Sequence, residues 1–393
     1  MSVLNKIKRY FLTITTFAIL IFSSGCASTD IYDIEKLNYA SAIGVDFRDG
    51  KYHGYIQFLD FQSVAKTSSG QRKSVNIWVG EGEGNSFEEA FFNLYKTSQE
   101  RVFWGHVTAV LITEAAFNKS FESISDSISR YYEFRLTPWV FGTRDSIKEI
   151  FSASGFYGQS PLSTILHEPE GTYSQASIVK SIKLHRLIAQ VYEPGFTTCI
   201  PVLSLNKKDW TNTGKKEPKL TLDGAFFLKK STFQSYMSLK ELEGLRWMQK
   251  GSVRVGVPVP KKDPSLQIVF DKPKTKLNYV PAEKKPGYTV NIKAKGYIVN
   301  RSKNDLQELP QLTEKTKEVI KQEIEKTFQA GKTKHIDVYN LEHTLYQKHY
   351  REWKSLSSSD SPLIDDTEIR EINININVEH SSSSKNRQIK RSS

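Results

Sequence analysis

The first 26 residues constrain this chain more than any other stretch. Lys6, Lys8 and Arg9 form a positive head, Tyr10–Phe22 carries no charge and is mostly apolar, and Ser23, Ser24, Gly25 and Cys26 follow. A charged head, a short apolar run and small residues spell an export signal. The run falls short of the roughly 20 residues that a membrane-spanning helix needs. No later run is as apolar, so the remainder reads as an exported, non-integral body.

The Ser-Ser-Gly-Cys ending resembles the lipobox of bacterial lipoproteins, with Ser23 standing where Leu is usual. That resemblance implies cleavage before Cys26, which makes residues 1–25 a signal peptide, and a diacylglyceryl group on the Cys26 sulfur. Two acyl chains give a stable anchor at about 0.8 kcal/mol per buried methylene. An ordinary secretory signal, or an uncleaved anchor with Cys26 just beyond it, are the alternatives.

With 393 residues, 38% hydrophobic and 12% aromatic, the chain has length and apolar content for two or three domains. The formal charge is +12, and +9 once Lys6, Lys8 and Arg9 leave with residues 1–25. Such a body is attracted to an anionic bilayer, the alternative being that most of this charge is simply a solvated surface. No aromatic–basic motif for reading bases is present, and the export signal argues against nucleic acid. Of the two cysteines, Cys26 belongs to the lipid site, and Cys199 sits in an apolar run and reads as a buried structural thiol. Neither a disulfide framework nor zinc spacing is available.

Along the chain, Asn38–Asp46 and Tyr52–Phe61 read as strands joined by Asp49-Gly50, a type I′ turn signal. A polar loop spans Lys66–Ser74, and Val75–Val79 is a strand that Gly80-Glu-Gly-Glu-Gly84 ends. Asn85 or Ser86 caps a helix over Phe87–Gln99. Strands at Val107–Ile112, Trp139–Gly142 and Cys199–Leu205 alternate with helices at Phe117–Glu133, Ser146–Phe151 and Gln175–Val191, with a loop over 152–175. The stretch 206–219, basic and polar, reads as a linker. Beyond it come strands at Leu220–Leu228, Ser252–Val257, Leu266–Phe270, Leu277–Val280 and Tyr288–Val299, and helices at Ser238–Trp247, Thr313–Phe328 and Val338–Trp353. On the Thr313–Phe328 helix, Val319, Ile320, Ile324 and Phe328 form the apolar stripe, with Lys and Glu elsewhere. Glu371–Val378 (EINININV) alternates strictly, its Ile and Val positions facing a core and its Asn positions facing water. The basic, Ser-rich stretch 381–393 reads as a disordered tail. The expected map is a 26–205 N-terminal α/β region, divisible into two domains, a 206–219 linker and a 220–380 C-terminal α+β domain.

A search for chemistry finds no site. The frame G-x-G-x-x-G from Gly80 ends on Asn85, and its two glutamates would repel a pyrophosphate. His343 and His349 are six apart and face different ways on a helix. His106 enters a strand and is a candidate base whose partner the sequence does not identify, a structural histidine being the alternative, and Asp365-Asp366 reads as a solvated turn. No catalytic, cofactor-binding or metal residue is assigned.

Several stretches together resemble the Ger(x)C family, the C-subunit lipoproteins of spore germinant receptors: Ala40–Asp46, Glu83–Ala90, Trp104–His106, Val110–Glu114, Tyr131–Val140, Leu222–Leu228 with Glu241, Gly244 and Trp247, Asp337–Tyr339 and Tyr346–Trp353. Two departures stand out: Ala27-Ser28 follows Cys26 where the family has Trp-Asp, and Asn340 stands where the family tends to Gly. The resemblance implies a multidomain α+β fold of two to three domains, elongated, each a mixed sheet with flanking helices. It implies a non-enzymatic, cofactor-free subunit, anchored by lipid on the outer face of the cytoplasmic (spore inner) membrane, that works with two polytopic membrane subunits in nutrient sensing and germination. The competing classes are an extracytoplasmic solute-binding lipoprotein, which would need a deep polar cleft between domains, and a wall-active enzyme, which would need His106 or Asp365 beside another carboxylate in a cleft.

Overall fold

The computed structural model describes residues 7–16, 37–59, 76–131, 133–261, 264, 266–281, 285–301, 308–357 and 362–379. Cys26, the 66–74 loop and the 381–393 tail lie outside the described residues. Residues 7–16 are helical and exposed. Among the described residues no helix is long and apolar enough to cross a membrane.

The first sheet grows from the Asp-Gly hairpin. Strands β1 (Leu37–Arg48) and β2 (Lys51–Leu59) pair antiparallel. Asp49 and Gly50 both take positive φ, 52° and 78°, as a type I′ turn requires. Strand β3 (Ile77–Gly84) adds outside β2 and corrects the reading of 80–84 as a turn, because the whole Gly-Glu-Gly-Glu-Gly run stays in the strand. Helix α1 (Phe87–Tyr95) folds straight back over it and explains the glycines. A Cβ on Gly82 would sit 2.1 Å from the Ala90 carbonyl oxygen, and one on Gly84 2.4 Å from the Ala90 nitrogen. A capping box starts this helix: Ser86 Oγ accepts from the Glu89 N–H (3.2 Å), and Glu89 Oε2 accepts from the Asn85 N–H (2.7 Å).

The chain continues through β4 (Arg101–Phe103), β5 (Ala109–Thr113), α2 (Glu114–Arg130), β6 (Trp139–Thr143), α3 (Ile147–Phe151), α4 (Pro169–Gln175), β7 (Ile182–Lys183), α5 (Leu184–Val191) and β8 (Thr197–Asn206). Strands β1, β5, β6 and β8 are parallel, so their connections carry helices to both faces. Phe117, Phe121 and Ile124 of α2 close one core and Ile147, Ile150 and Phe151 of α3 close the other. The helix expected over 175–191 forms only from Leu184. Ser177 is held instead by the strand at Arg254–Val259: its N–H donates to the Arg254 carbonyl (3.0 Å) and its Oγ accepts from the Val253 N–H (3.0 Å). Val179 enters the C-terminal core.

The 206–219 stretch is not a free linker. It carries the short hairpin β9 (Thr211–Asn212)–β10 (Lys215–Lys216), and β11 (Lys219–Lys229) returns antiparallel along β8, Lys219 opposite Asn206 and Lys229 opposite Thr197. Strand β12 (Thr232–Ser238) finishes that edge, giving the order β12-β11-β8-β6-β5-β1-β2-β3. The strand beginning near Leu220 therefore completes the first sheet rather than opening a new unit. Its alternation joins the two halves: Phe226 and Leu228 face the core under α2, while Ala225 and Phe227 face the C-terminal core.

The second sheet has the order β13 (Arg254–Val259), β14 (Leu266–Val280), β15 (Gly287–Arg301), β16 (Glu368–Glu379), with only β15–β16 parallel. In β16 the Asn positions are exposed and Ile372, Ile374, Ile376 and Val378 pack inward, as the alternation predicts. Helix α6 (Leu245–Met248) and the long α7 (Leu309–Thr333) cover this core, and α8 (Leu341–Lys348), α9 (Tyr350–Leu356) and α10 (Leu363–Asp366) follow. The helix expected over 338–353 breaks at His349 (φ −139°). The whole is a multidomain α+β fold with several sheets.

Candidate interaction surfaces and the junction between the sheets

The residues singled out for chemistry do not converge. His106 packs its ring edge-on to Tyr39 at 5.3 Å. Asp365 meets the exposed His335 (Nδ1 to Oδ2 2.8 Å), and Asp366 stands beside it in α10. His343 Nδ1 lies 3.1 Å from the Pro194 carbonyl and His349 packs on Tyr279. Burial pushes the Cys199 thiol up to about 12, which keeps it protonated and unreactive. Among the described residues, no three His, Cys, Asp or Glu side chains gather to hold a metal.

What sequence reasoning missed is buried polar structure. Glu323, read as a surface residue of α7, is 1% exposed. Arg246 holds it through two donors (2.7 and 3.2 Å), Trp247 Nε1 donates at 2.9 Å, and Lys261 lies at 3.4 Å. The signal was present: 316, 319, 320, 323, 324, 327 and 328 keep one helical face, so Glu323 falls within the stripe.

The junction turns on 337–342. Asn340 takes φ 55°, ψ 44°, a left-handed conformation that Asn adopts more readily than most residues. Its Oδ1 accepts the Thr197 N–H of β8 (2.7 Å), tying the C-terminal half to the first sheet. Asp337 Oδ2 accepts the Glu342 N–H (2.7 Å), and Glu342 in turn receives Lys229 Nζ (2.5 Å) and Trp353 Nε1 (3.3 Å). Burial pushes the Asp337 carboxyl up to about 6, against the pull of the Leu341 and Glu342 N–H groups. Among the described residues its Oδ1 has no hydrogen-bond partner.

Two aromatic features reach the surface, one at the edge of the first-sheet core and one beyond β8. Between α1 and α2 a crevice of about 90 Å³ is walled by Phe87, Phe91, Phe92, Tyr95, Trp104 and Tyr131, with Ser127 and one charged residue, Glu88. At the far end of β8, Phe156, Tyr157 and Trp210 project to solvent, Tyr157 at 86% exposure. Neither feature lies between the two sheets.

Comparison with known proteins covers nearly the whole chain. The family model for the spore germination protein N-terminal domain matches residues 30–205. The model for the spore germination B3/GerAC-like C-terminal region matches residues 223–382. Spore germination protein B3 of Bacillus subtilis (strain 168) is 25% identical over 297 residues, 73% of this chain and 75% of its own. The crystal structure of the GerBC protein shares the fold, with a TM-score of 0.52 over 88% of this chain and 99% of its own at 18% identity.

Proposed function

We propose that this chain, which belongs to the GerAC family of spore germination proteins, is a lipid-anchored subunit of a germinant receptor. A diacylglyceryl group on Cys26 holds it at the outer face of the cytoplasmic membrane, and its domains bind two polytopic membrane subunits. Family membership, across both halves in order, carries the role in spore germination. The export signal ending in Gly25-Cys26 supports the anchor. Confinement to one membrane raises effective concentration, so weak contacts between subunits suffice.

The test is crosslinking in native membranes followed by mass spectrometry. Two polytopic membrane proteins should be recovered with the chain, and Cys26→Ala should release it from the membrane and abolish germination. A Cys26→Ala chain that stays bound and supports full germination overturns the anchor. Recovery of an ABC-type permease instead replaces the receptor subunit with a solute-binding protein.

A further inference from the structure

We infer that two copies of this chain pair edge to edge along β16, antiparallel about a two-fold axis at Ile374, joining their second sheets into one. That sheet has two edges, and they are finished differently. At β13 the chain around Ser177 lies alongside: the Ser177 N–H donates to the Arg254 carbonyl and its Oγ accepts from the Val253 N–H. β13 is also short and contains Pro258. β16 is twelve residues long and, among the described residues, pairs on one side only, with β15. A row of unused N–H and C=O groups is a template for another strand, which proteins usually guard with lysine, proline or a bulge. Here the shift of register falls at Tyr288/Thr289, before Glu371, and Ile372–Val378 runs on without charge, proline or glycine.

The sequence of this edge makes a second copy its complement. Ile372, Ile374, Ile376 and Val378 take the core face, and Asn373, Asn375 and Asn377 the outer face. An antiparallel strand of the same sequence sets core face beside core face whenever the axis falls on a residue rather than between two. Burial places that axis early in the run. Ile376 and Val378 are 8% and 5% exposed, whereas Ile372 and Ile374 are only partly buried. An axis at Ile374 brings the two Ile374 side chains together and sets Ile372 against Ile376 of the second copy, covering what one copy leaves open. An axis at Ile376 would leave Ile372 beyond the end of the opposing run.

Charge selects the same axis. Centred on Asn375, the pairing would oppose Glu371 to Glu379 at both ends, and like charges directly opposite destabilise a sheet. Centred on Ile374, Glu371 opposes Asn377, and the next residue across the ladder from Asn377 is Lys295 of β15. Glu371 and Lys295 are exposed, and neither makes an ion pair among the described residues. Two strand spacings, about 10 Å, separate their backbones, a gap that the two long side chains close. Asn373 then opposes Asn375, so the outer faces meet as amide pairs. Each copy offers the same patch, so the contact closes at two copies.

Cysteine crosslinking of the full chain in native membranes tests the pairing at Asn373 and Asn375, exposed positions whose replacement leaves the core intact. The unsubstituted chain sets the background from Cys26 and Cys199. Asn373→Cys and Asn375→Cys, co-expressed, should give a disulfide dimer under mild oxidation. Each alone should give background, because the same residue in the two copies lies on a diagonal of about 7–8 Å, beyond disulfide reach. Glu371→Lys should cut the co-expressed yield about tenfold, since the pair occurs twice in the dimer. Lys295→Glu added to the same chains should restore it, which separates a lost contact from a lost fold. Background yield from the co-expressed pair overturns the inference. A dimer from Asn375→Cys alone overturns the axis at Ile374, and an undiminished yield in Glu371→Lys overturns the charge match that selects a second copy.

Discussion

Each half of the molecule buries ionisable side chains, and they are handled differently. Under the first sheet His167 is fully buried and neutral. Its Nε2 lies 3.1 Å from Gln57 Oε1 and its Nδ1 2.6 Å from Thr108 Oγ1. Gln57 Oε1 only accepts, so Nε2 carries the proton and Nδ1 accepts the Thr108 hydroxyl. Burial pushes His167 down to about 3. The C-terminal half instead buries carboxylates: Glu323 is matched by Arg246, Trp247 and Lys261, and Asp337 is matched on one oxygen only. A neutral network needs only hydrogen-bond partners, whereas a buried charge needs counter-charge and every lone pair filled.

The largest effect should come from Glu323. Glu323→Ala leaves Arg246 and Trp247 Nε1 without their acceptor and should destabilise the chain by about 3–5 kcal/mol, read by urea denaturation. His167→Ala removes only neutral partners and should cost about 2–3 kcal/mol. Equal losses would erase the distinction between the two cores.

The pH dependence sharpens the same contrast, because the two shifted groups act with opposite sign. The folded value of His167 lies below its unfolded value near 6.5, so its contribution is present above about pH 6.5 and is lost as pH falls toward 3. Asp337 is raised from near 4 to about 6, so its contribution is full below pH 4 and is lost as pH rises through 6. Each changes stability by up to about 1.4 kcal/mol per pH unit within its window. In His167→Gln, stability should no longer fall between pH 6.5 and 4.5 through this group. In Asp337→Asn the opposing slope between pH 4 and 6 should vanish. Denaturant midpoints at half-unit intervals check both, and unchanged profiles would mean that neither group titrates with folding.

These clusters mark where the sequence was legible. Alternation in β16, the Asp49-Gly50 turn and the stripe of α7 gave their elements, because each is a local pattern set by backbone geometry. The Gly80–Gly84 run misled because its cause, the close approach of α1, is a contact that no local pattern encodes. The 206–219 stretch misled for a similar reason: besides its neighbour Glu217, Lys219 donates to carbonyls more than sixty residues away. The N-terminal boundary at 205 looked natural because the chain turns basic and polar there, but Phe226 and Phe227 on opposite faces of β11 bind both cores across it.

The smallest effect, and the finest test of the junction, is at Asn340. Two terms compete there. A non-glycine residue in the left-handed region costs about 1 kcal/mol, a cost that Gly would remove. The Asn340 side chain also satisfies the Thr197 N–H at 2.7 Å, and losing a bond to a buried donor costs about 1–3 kcal/mol. Asn340→Gly should therefore come out destabilised by about 0–2 kcal/mol, and Asn340→Ala, which keeps the backbone cost and loses the bond, by about 1–3 kcal/mol. The gap between them, measured by thermal unfolding, isolates the backbone term. A Gly variant more stable than the parent would show that the bond to β8 contributes less than the backbone cost, and that this corner, unlike the Glu323 cluster, is governed by chain conformation.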